Sequence, residues 1–400
     1  MTSRLILDVH ALQNVPPSNL NRDDTGAPKT AVYGGATRAR VSSQAWKRAT
    51  RKAFEDLLDP SELGVRTKRV AEEIAGRMAV LEPSLAQADA MAVAVELVKA
   101  ATKGKVEVPK RKASAAKEEQ DEAAASPQTE YLMFLSTRQL DNLARLGVEG
   151  AKDIAAFLKD KEFKQRVREA ADTGHSVDIA LFGRMVANST DINVDAAAQV
   201  AHAISVHAVE NESDYFTAMD DLSTDAEPGA GMIGIVDFNA ATLYRYAAVD
   251  VNRLAANLGM GLREDESPTE PVRRAVQAFI QGFALSLPTG KINTFGNHTV
   301  PDVVLVKLRS SRPISFAAAF EEAIAPGERQ GGYLKTACDR LASYIPEIEE
   351  AYDLEEGTQT WVVRAGSATE ALAGAGEKIS INRLVEEVGA AALTQLANGS

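Results

Sequence analysis

Seven cations and no acid stand between residues 29 and 52: Lys29, Arg38, Arg40, Lys47, Arg48, Arg51 and Lys52. Phosphate is the ligand such a run would hold, because affinity for a nucleic-acid backbone comes largely from lysine and arginine releasing its counterions. Set on a helix at about 100° per residue, Trp46, Ala49, Ala53 and Leu57 share one face, and Lys47, Arg48, Arg51 and Lys52 share the opposite one. A basic helical stripe is most often plain solvated surface. Here no glutamate one turn earlier neutralises it, and the helix opens at Ser42 and Ser43, whose neighbouring N–H groups are able to hold a phosphate. Each phosphate neutralised on a single strand adds a log–log salt slope of roughly −0.7.

Two further groupings carry chemistry. The segment Leu20-Asn21-Arg22-Asp23-Asp24-Thr25 sets two carboxylates side by side, as a metal-dependent nuclease needs for a hard cation. The competing reading, in which Asp23 and Asp24 cap a turn or pair with Arg22, is favoured because no second acidic motif stands ready as a partner. Between Val209 and Met232, seven acids (Glu210, Glu212, Asp214, Asp220, Asp221, Asp225 and Glu227) surround Tyr215, Phe216 and Met219. Such a loop does not track phosphates. Its apolar centre either covers a neighbouring subunit, wedges between bases, or anchors the loop on its own core.

Other signals are excluded by spacing. His202 and His207 stand five apart, which does not place both on one helical face as a zinc-binding H-E-x-x-H does. Pro288-Thr289-Gly290-Lys291 lacks both the earlier glycine and the following Ser or Thr of a nucleotide-binding loop. No G-x-S-x-G elbow occurs.

Elements to position these residues are legible in outline. Arg4 to His10 alternates in the manner of a strand with one face on a core, Asn14 to Gly35 reads as a long loop, and Ala39 to Ser42 as a short strand. A helix then runs to about Leu58, before Asp59 and Pro60. From Val65 to Ala171 the pattern is helical, with segments at 66–78, 83–101, 130–146 and 149–170. Within it, Lys103 to Gln128 is rich in lysine, glutamate, alanine and serine and reads as a flexible tip. Strand patterns return at 177–182, 232–238, 242–250, 303–309 and 360–364, between helical segments at 271–286 and 314–325. The mixture implies an α+β fold whose sheet is interrupted in sequence by a helical insertion.

The chain has 400 residues, 45% of them hydrophobic, enough for two or three structural units. Its net charge of −12 argues against nucleic acid, yet the charge is segregated: the cations cluster at 29–52, and acids crowd 118–122 and 347–356. Asp8 ends the first apolar run too soon for a secretory signal, charges such as Glu96 and Lys99 break every long apolar stretch, and the single Cys338 has no partner. A cytoplasmic protein without membrane contact is expected.

Read together, Leu20 to Asp24, Gly34-Gly35, Arg40 to Gln44 and Lys47-Arg48-Ala49 with Arg51 resemble the CasC-type backbone subunit of the type I-E CRISPR Cascade complex. Val177 to Leu181, Gly183-Arg184-Met185, Ala201 to Ile204 with His207, Phe216 to Leu222 and Tyr244 to Ala247 extend the likeness, in order, over roughly the first 260 residues. The resemblance implies a modified RRM-like (ferredoxin-like) palm at 1–60 and 176–400, helical fingers at 61–175 and a protruding thumb hairpin at about 209–239. It implies further that copies stack head to tail along the guide RNA, beside other Cascade subunits, for recognition of invading target DNA. Arg22, Lys29, Ser42, Gln44, Lys47, Arg51 and Arg184 would then contact RNA, with Met185 and Phe216 packed around a displaced base. No catalytic residue, metal or cofactor is implied. The rival reading is a metal-dependent endoribonuclease using Asp23, Asp24, Asp220 or Asp221, since backbone subunits of other CRISPR types cleave RNA with a loop aspartate.

Overall fold

The computed structural model describes residues 4–102, 106–107, 126–186, 192–218, 232–259, 267, 269–326, 332–354 and 357–398. Most of the 103–128 tip, and Met219, Asp220 and Asp221, lie outside these residues. Two compact units divide the chain: Met1–Leu57 with Ala198–Asn252 and Val276–Ser400, and Leu58–Ala197 with Arg253–Ala275.

The first unit is built on a mixed ten-stranded sheet. Its main path runs Glu377–Lys378, Gln359–Arg364, Val303–Arg309, Ile6–Ser18, Met232–Asp250, Ala203–Ser205, Ala36–Val41 and Thr30–Tyr33, with Glu212–Ala218 and Ala198–Val200 also paired to Met232–Asp250. All pairs are antiparallel except Gln359–Arg364 with Glu377–Lys378. Ile6–Ser18 lies at the centre, in register from Ile6↔Asp250 to Asn14↔Thr242 on one side and from Ile6↔Arg309 to Leu12↔Val303 on the other.

The expectation of one solvated face on this strand fails, because Ile6 to Gln13 are all buried. The two residues that looked solvent-facing are partnered inside. Asp8 pairs with Arg309 Nε at 3.0 Å, and burial nonetheless pushes its carboxyl up to about 6. His10 stacks on Phe316 with centroids 4.4 Å apart and lies 2.9 Å from the Tyr244 hydroxyl.

The strands expected at 232–238 and 242–250 form one 19-residue strand. Its first part pairs with Glu212–Ala218, from Glu212↔Phe238 to Ala218↔Met232. Tyr215, Ile233 and Ile235 on this hairpin are each more than half exposed.

In the second unit, helices Val70–Leu81, Gln87–Thr102, Thr137–Gly150 and Lys161–Asp172 bury one apolar cluster that includes Ile74, Met78, Leu97, Leu143 and Val167. The helix expected from 130 starts only at Thr137, because Ser136 and Gln139 form a capping box there after the short strand Met133–Ser136. Asp153 and Asp160 each cap a new helix start, which breaks the segment expected at 149–170. The segment at 177–182 is a helix and not a strand: all its residues but Phe182 are buried, so no period shows in the sequence, and Gly183 ends it at φ 77°. Where the sequence reads a helix at 314–325, only a single tight turn at Ala317–Phe320 forms.

The helical part was placed at 61–175, whereas the compact unit extends to Ala197 and takes in Arg253–Ala275. Polar ties explain the returning segment. Arg274 Nε donates to the buried Glu62 carboxylate at 2.9 Å, and Asn257 Nδ2 donates to the carbonyls of Ala180 and Asp195 at 2.9 and 2.8 Å.

Candidate nucleic-acid interface

The basic helix spans Ser43–Leu57 and buries Trp46, Thr50 and Phe54. The inward stripe is therefore rotated slightly from the expected Trp46–Ala49–Ala53–Leu57 line, toward the positions one helical turn apart that carry the larger side chains. Two contacts hold it. The guanidinium of Arg245 lies 3.7 Å from the Trp46 ring centroid, between it and Phe283. Gly282 brings its own helix so close that an added Cβ would sit 3.2 Å from the Thr50 carbonyl oxygen and 3.3 Å from the Phe54 ring.

At the helix start the Ser42 hydroxyl accepts from the Ala45 N–H at 3.3 Å, and its carbonyl accepts from Trp46 at 3.2 Å. The Ser43 and Gln44 amides stand in the first turn, where no intrahelical acceptor reaches. Asn21 Oδ1 accepts from the Ser42 N–H at 2.9 Å, tying the preceding loop to this helix end. Gln44, Arg48 and Lys52 are exposed, while Lys47 and Arg51 lie half-buried along the same helix.

The loop before it is ordered by its own polar side chains. Asp23 Oδ1 accepts from the Thr25 hydroxyl at 2.7 Å, the Thr25 N–H at 2.9 Å and the Ala27 N–H at 3.1 Å. These bonds, the Thr25 hydroxyl foremost, hold the Asp23 carboxyl below the usual range. Gly26, at φ 96°, completes the turn. Asn19 Nδ2 fastens the loop to the Gly26 carbonyl at 2.9 Å and to Asp237 at the hairpin base at 2.8 Å. Arg22 projects exposed from this loop, and Lys29 ends it half-buried, its N–H on the Asn21 carbonyl and its carbonyl on the Arg40 N–H, both at 2.9 Å. A cleft of about 520 Å³ lies along Leu20 to Gly26 and Gly290. An added Cβ at Gly290 would fall 2.3 Å from the Leu20 carbonyl oxygen, so that position is held to glycine.

On the hairpin, Phe216 opposes Gly234, and its ring lies across the glycine so closely that a Cβ there would meet it at 2.3 Å. The ring keeps 38% exposure. It does not anchor the hairpin in a core.

The structure thus brings Arg22, Lys29, Ser42, Gln44, Lys47 and Arg51 onto one loop and the helix that follows it, with Phe216 on a hairpin of the same unit. Met185 belongs to the helical unit and is 85% exposed. Arg184 requires correction. Its side chain is 1% exposed and donates to the carbonyls of Ile192 at 2.7 Å and Ala171 at 3.0 Å, and to Gln139 Oε1 at 3.2 Å, with Asp172 at 3.4 Å. Burial brings its pKa down to about 10. A guanidinium so enclosed braces its own unit and offers no donor to a phosphate.

Arg38 must likewise leave the run of seven cations. It is fully buried and donates to the carbonyls of Ser205, Phe320 and Glu321 at 2.9, 3.0 and 2.9 Å. In exchange the fold supplies His202, whose Nδ1 lies 3.4 Å from Arg40 Nη1. Sequence spacing relates His202 only to His207; the pairing Arg40↔Ile204 across the sheet is what brings it beside the cations.

A mixed α+β chain with a cationic loop-and-helix surface and a hairpin that exposes Tyr215, Ile233 and Ile235 is the class these elements define. Residues 7–387 match the CT1975-like protein family, and the chain belongs to it. It also matches a chain of a solved "CRISPR RNA-guided surveillance complex, pre-nicking" at 36% identity and a TM-score of 0.79, covering 97% of this chain and 100% of that one. A chain of a "CRISPR RNA-guided surveillance complex" matches at 32% identity and a TM-score of 0.68, covering 96% and 99%. No curated protein sequence matches.

Proposed function

We propose that this chain is the guide-RNA-binding backbone subunit of a type I-E Cascade, of the CasC type, whose copies stack head to tail along the RNA beside other subunits and present it to target DNA. In this reading the sheet unit is an RRM-like palm, the helical unit the fingers and the 212–238 hairpin the stem of the thumb. The observation that carries it is the loop-and-helix surface: exposed or half-exposed Arg22, Lys29, Lys47 and Arg51 stand on a scaffold fixed by Asn21, Asp23 and the Trp46–Arg245 stack. Likeness over nearly the whole length to chains of RNA-guided surveillance complexes supports it.

Contacts of this kind go to phosphates and sugars and carry no sequence information, which leaves specificity to base pairing by the guide. Phe216, half-exposed on its hairpin, is suited to pack against an unstacked base. The proposal includes no cleavage by this subunit. Asp23 supports that part, since one oxygen of its carboxylate is the cap of its own loop.

The test is binding of a labelled single-stranded RNA of guide length at several salt concentrations, with magnesium present. Stepwise binding of intact RNA, and for Lys47→Ala/Arg51→Ala a log–log salt slope shallower by about 1.4, are expected. Equal binding by that variant removes the helix from the interface. Magnesium-dependent cleavage that is lost in Asp23→Ala or Asp24→Ala would replace the proposal by the nuclease reading.

A further inference from the structure

Lys29, Arg40 and His202 converge where the loop returns to the sheet. Arg40 Nε donates to the Thr30 carbonyl at 3.2 Å, and its Nη1 approaches His202 Nδ1 at 3.4 Å. An imidazole nitrogen this close to a guanidinium is an acceptor, so the neutral ring carries its proton on Nε2. The charged groups acting on the exposed His202 ring are Arg40, across the sheet, and Lys29; together with partial burial, the larger cause, they hold its pKa below the usual histidine range. The helix packed on Ala198–Val200 adds Lys47, Arg48, Arg51 and Lys52, again cations, and its acids Glu55 and Asp56 come only in the last turn. Among the described residues neither Lys29 nor Arg40 is in an ion pair.

Three nitrogen-bearing side chains at one spot, none of them ion-paired among the described residues, make a site that lacks its counter-charge. We infer that Lys29, Arg40 and His202 form a composite anion site that takes one phosphate of a nucleic-acid backbone, with His202 taking up a proton from solvent as the phosphate arrives. The phosphate supplies the negative charge that the two cations lack, which favours the imidazolium. Once protonated at Nδ1, the ring no longer accepts from Arg40, and both turn their N–H donors to the phosphate oxygens. His202 thereby becomes a binding residue, and affinity becomes linked to pH. The identity of the phosphate as part of RNA rests on the proposed function; the anion site itself does not.

Two measurements separate these. The His202 ring resonance is titrated against pH by NMR with and without inorganic pyrophosphate, and affinity for guide-length single-stranded RNA is measured at pH 5.5 and 7.5 at constant salt for wild type and His202→Gln. A pyrophosphate-induced rise in the ring pKa is expected, with wild type binding RNA about three- to tenfold more tightly at pH 5.5 and the variant, which keeps a neutral donor, losing that difference; tenfold corresponds to about one pKa unit between free and bound states. An unmoved ring pKa, or a His202→Gln variant with the wild-type pH profile, overturns the inference while RNA binding itself stands. A ring pKa that rises with pyrophosphate in a protein binding no RNA at either pH supports the anion site and overturns the guide-RNA reading.

Discussion

Lys29 and Lys47 stand half-exposed on the loop and helix of the sheet unit, whereas Arg38, Arg245 and Arg309 of the same unit have almost no exposure. The two sets carry the same charge and do opposite work. Outside, a cation is solvated and available, so its loss changes affinity for an anion and little else. Inside, it is held by carbonyls, an aromatic ring or a carboxylate, and its loss leaves those groups unsatisfied. Arg245 shows the inner case: it donates to Gln13 Oε1 at 2.6 Å and to the Phe283 carbonyl, lies against Trp46, and burial lowers its pKa to about 9. Net charge therefore misleads twice here, since the acids are concentrated elsewhere and part of the basic complement never reaches solvent.

The largest effect is expected from Arg245→Ala, which removes a charged donor from several buried acceptors and the support beneath Trp46. A loss of about 3 kcal/mol or more in urea unfolding is expected, with the Lys29 and Lys47 side chains untouched. A loss near zero would dissolve the distinction between the two sets.

His175 extends the contrast to the helical unit. It is buried, its Nδ1 accepts from Gln139 Nε2 at 3.0 Å, and burial, then the nearby Arg184, lowers its pKa to about 4. A folded-state value below the unfolded one of 6.5 means stability that is fully present above pH 6.5 and is lost as pH falls toward 4. Up to about 3 kcal/mol is at stake, read as hydrogen-exchange protection of the unit's helices at pH 7 and 4.5. In His175→Gln that acid-dependent part should vanish. An unchanged acid loss would mean that other groups carry it.

The smallest effect on stability, below about 0.5 kcal/mol, is expected from Lys29→Ala/Lys47→Ala. The same variant should shorten the RNA salt slope by about 1.4. If instead it unfolds more easily than wild type while its salt slope is unchanged, these lysines belong with the buried set.

Much of the site was legible because local rules govern it. The helix at 43–57, its serine start and its cationic face follow from period and capping, and the Asp23 turn follows from the Asp-x-Thr spacing. Arg184 and Arg38 were misread for a physical reason: nothing near either in sequence signals that carbonyls from distant segments close around it, such as Ala171 on Arg184 and Phe320 on Arg38. The helix at 177–182 was hidden in the same way, since an element buried on nearly every side has no solvent face to set a period.

By itself the sequence determined the α+β mixture, the helical insertion, the basic helix and the acidic loop with its aromatic centre, because each depends on neighbours within a turn or a strand. Only the tertiary structure decided which cations face water, that Asp8 and His10 lie inside the sheet, and that His202 stands beside Arg40. Those outcomes depend on strand order and register, which join residues more than a hundred positions apart and leave no local trace.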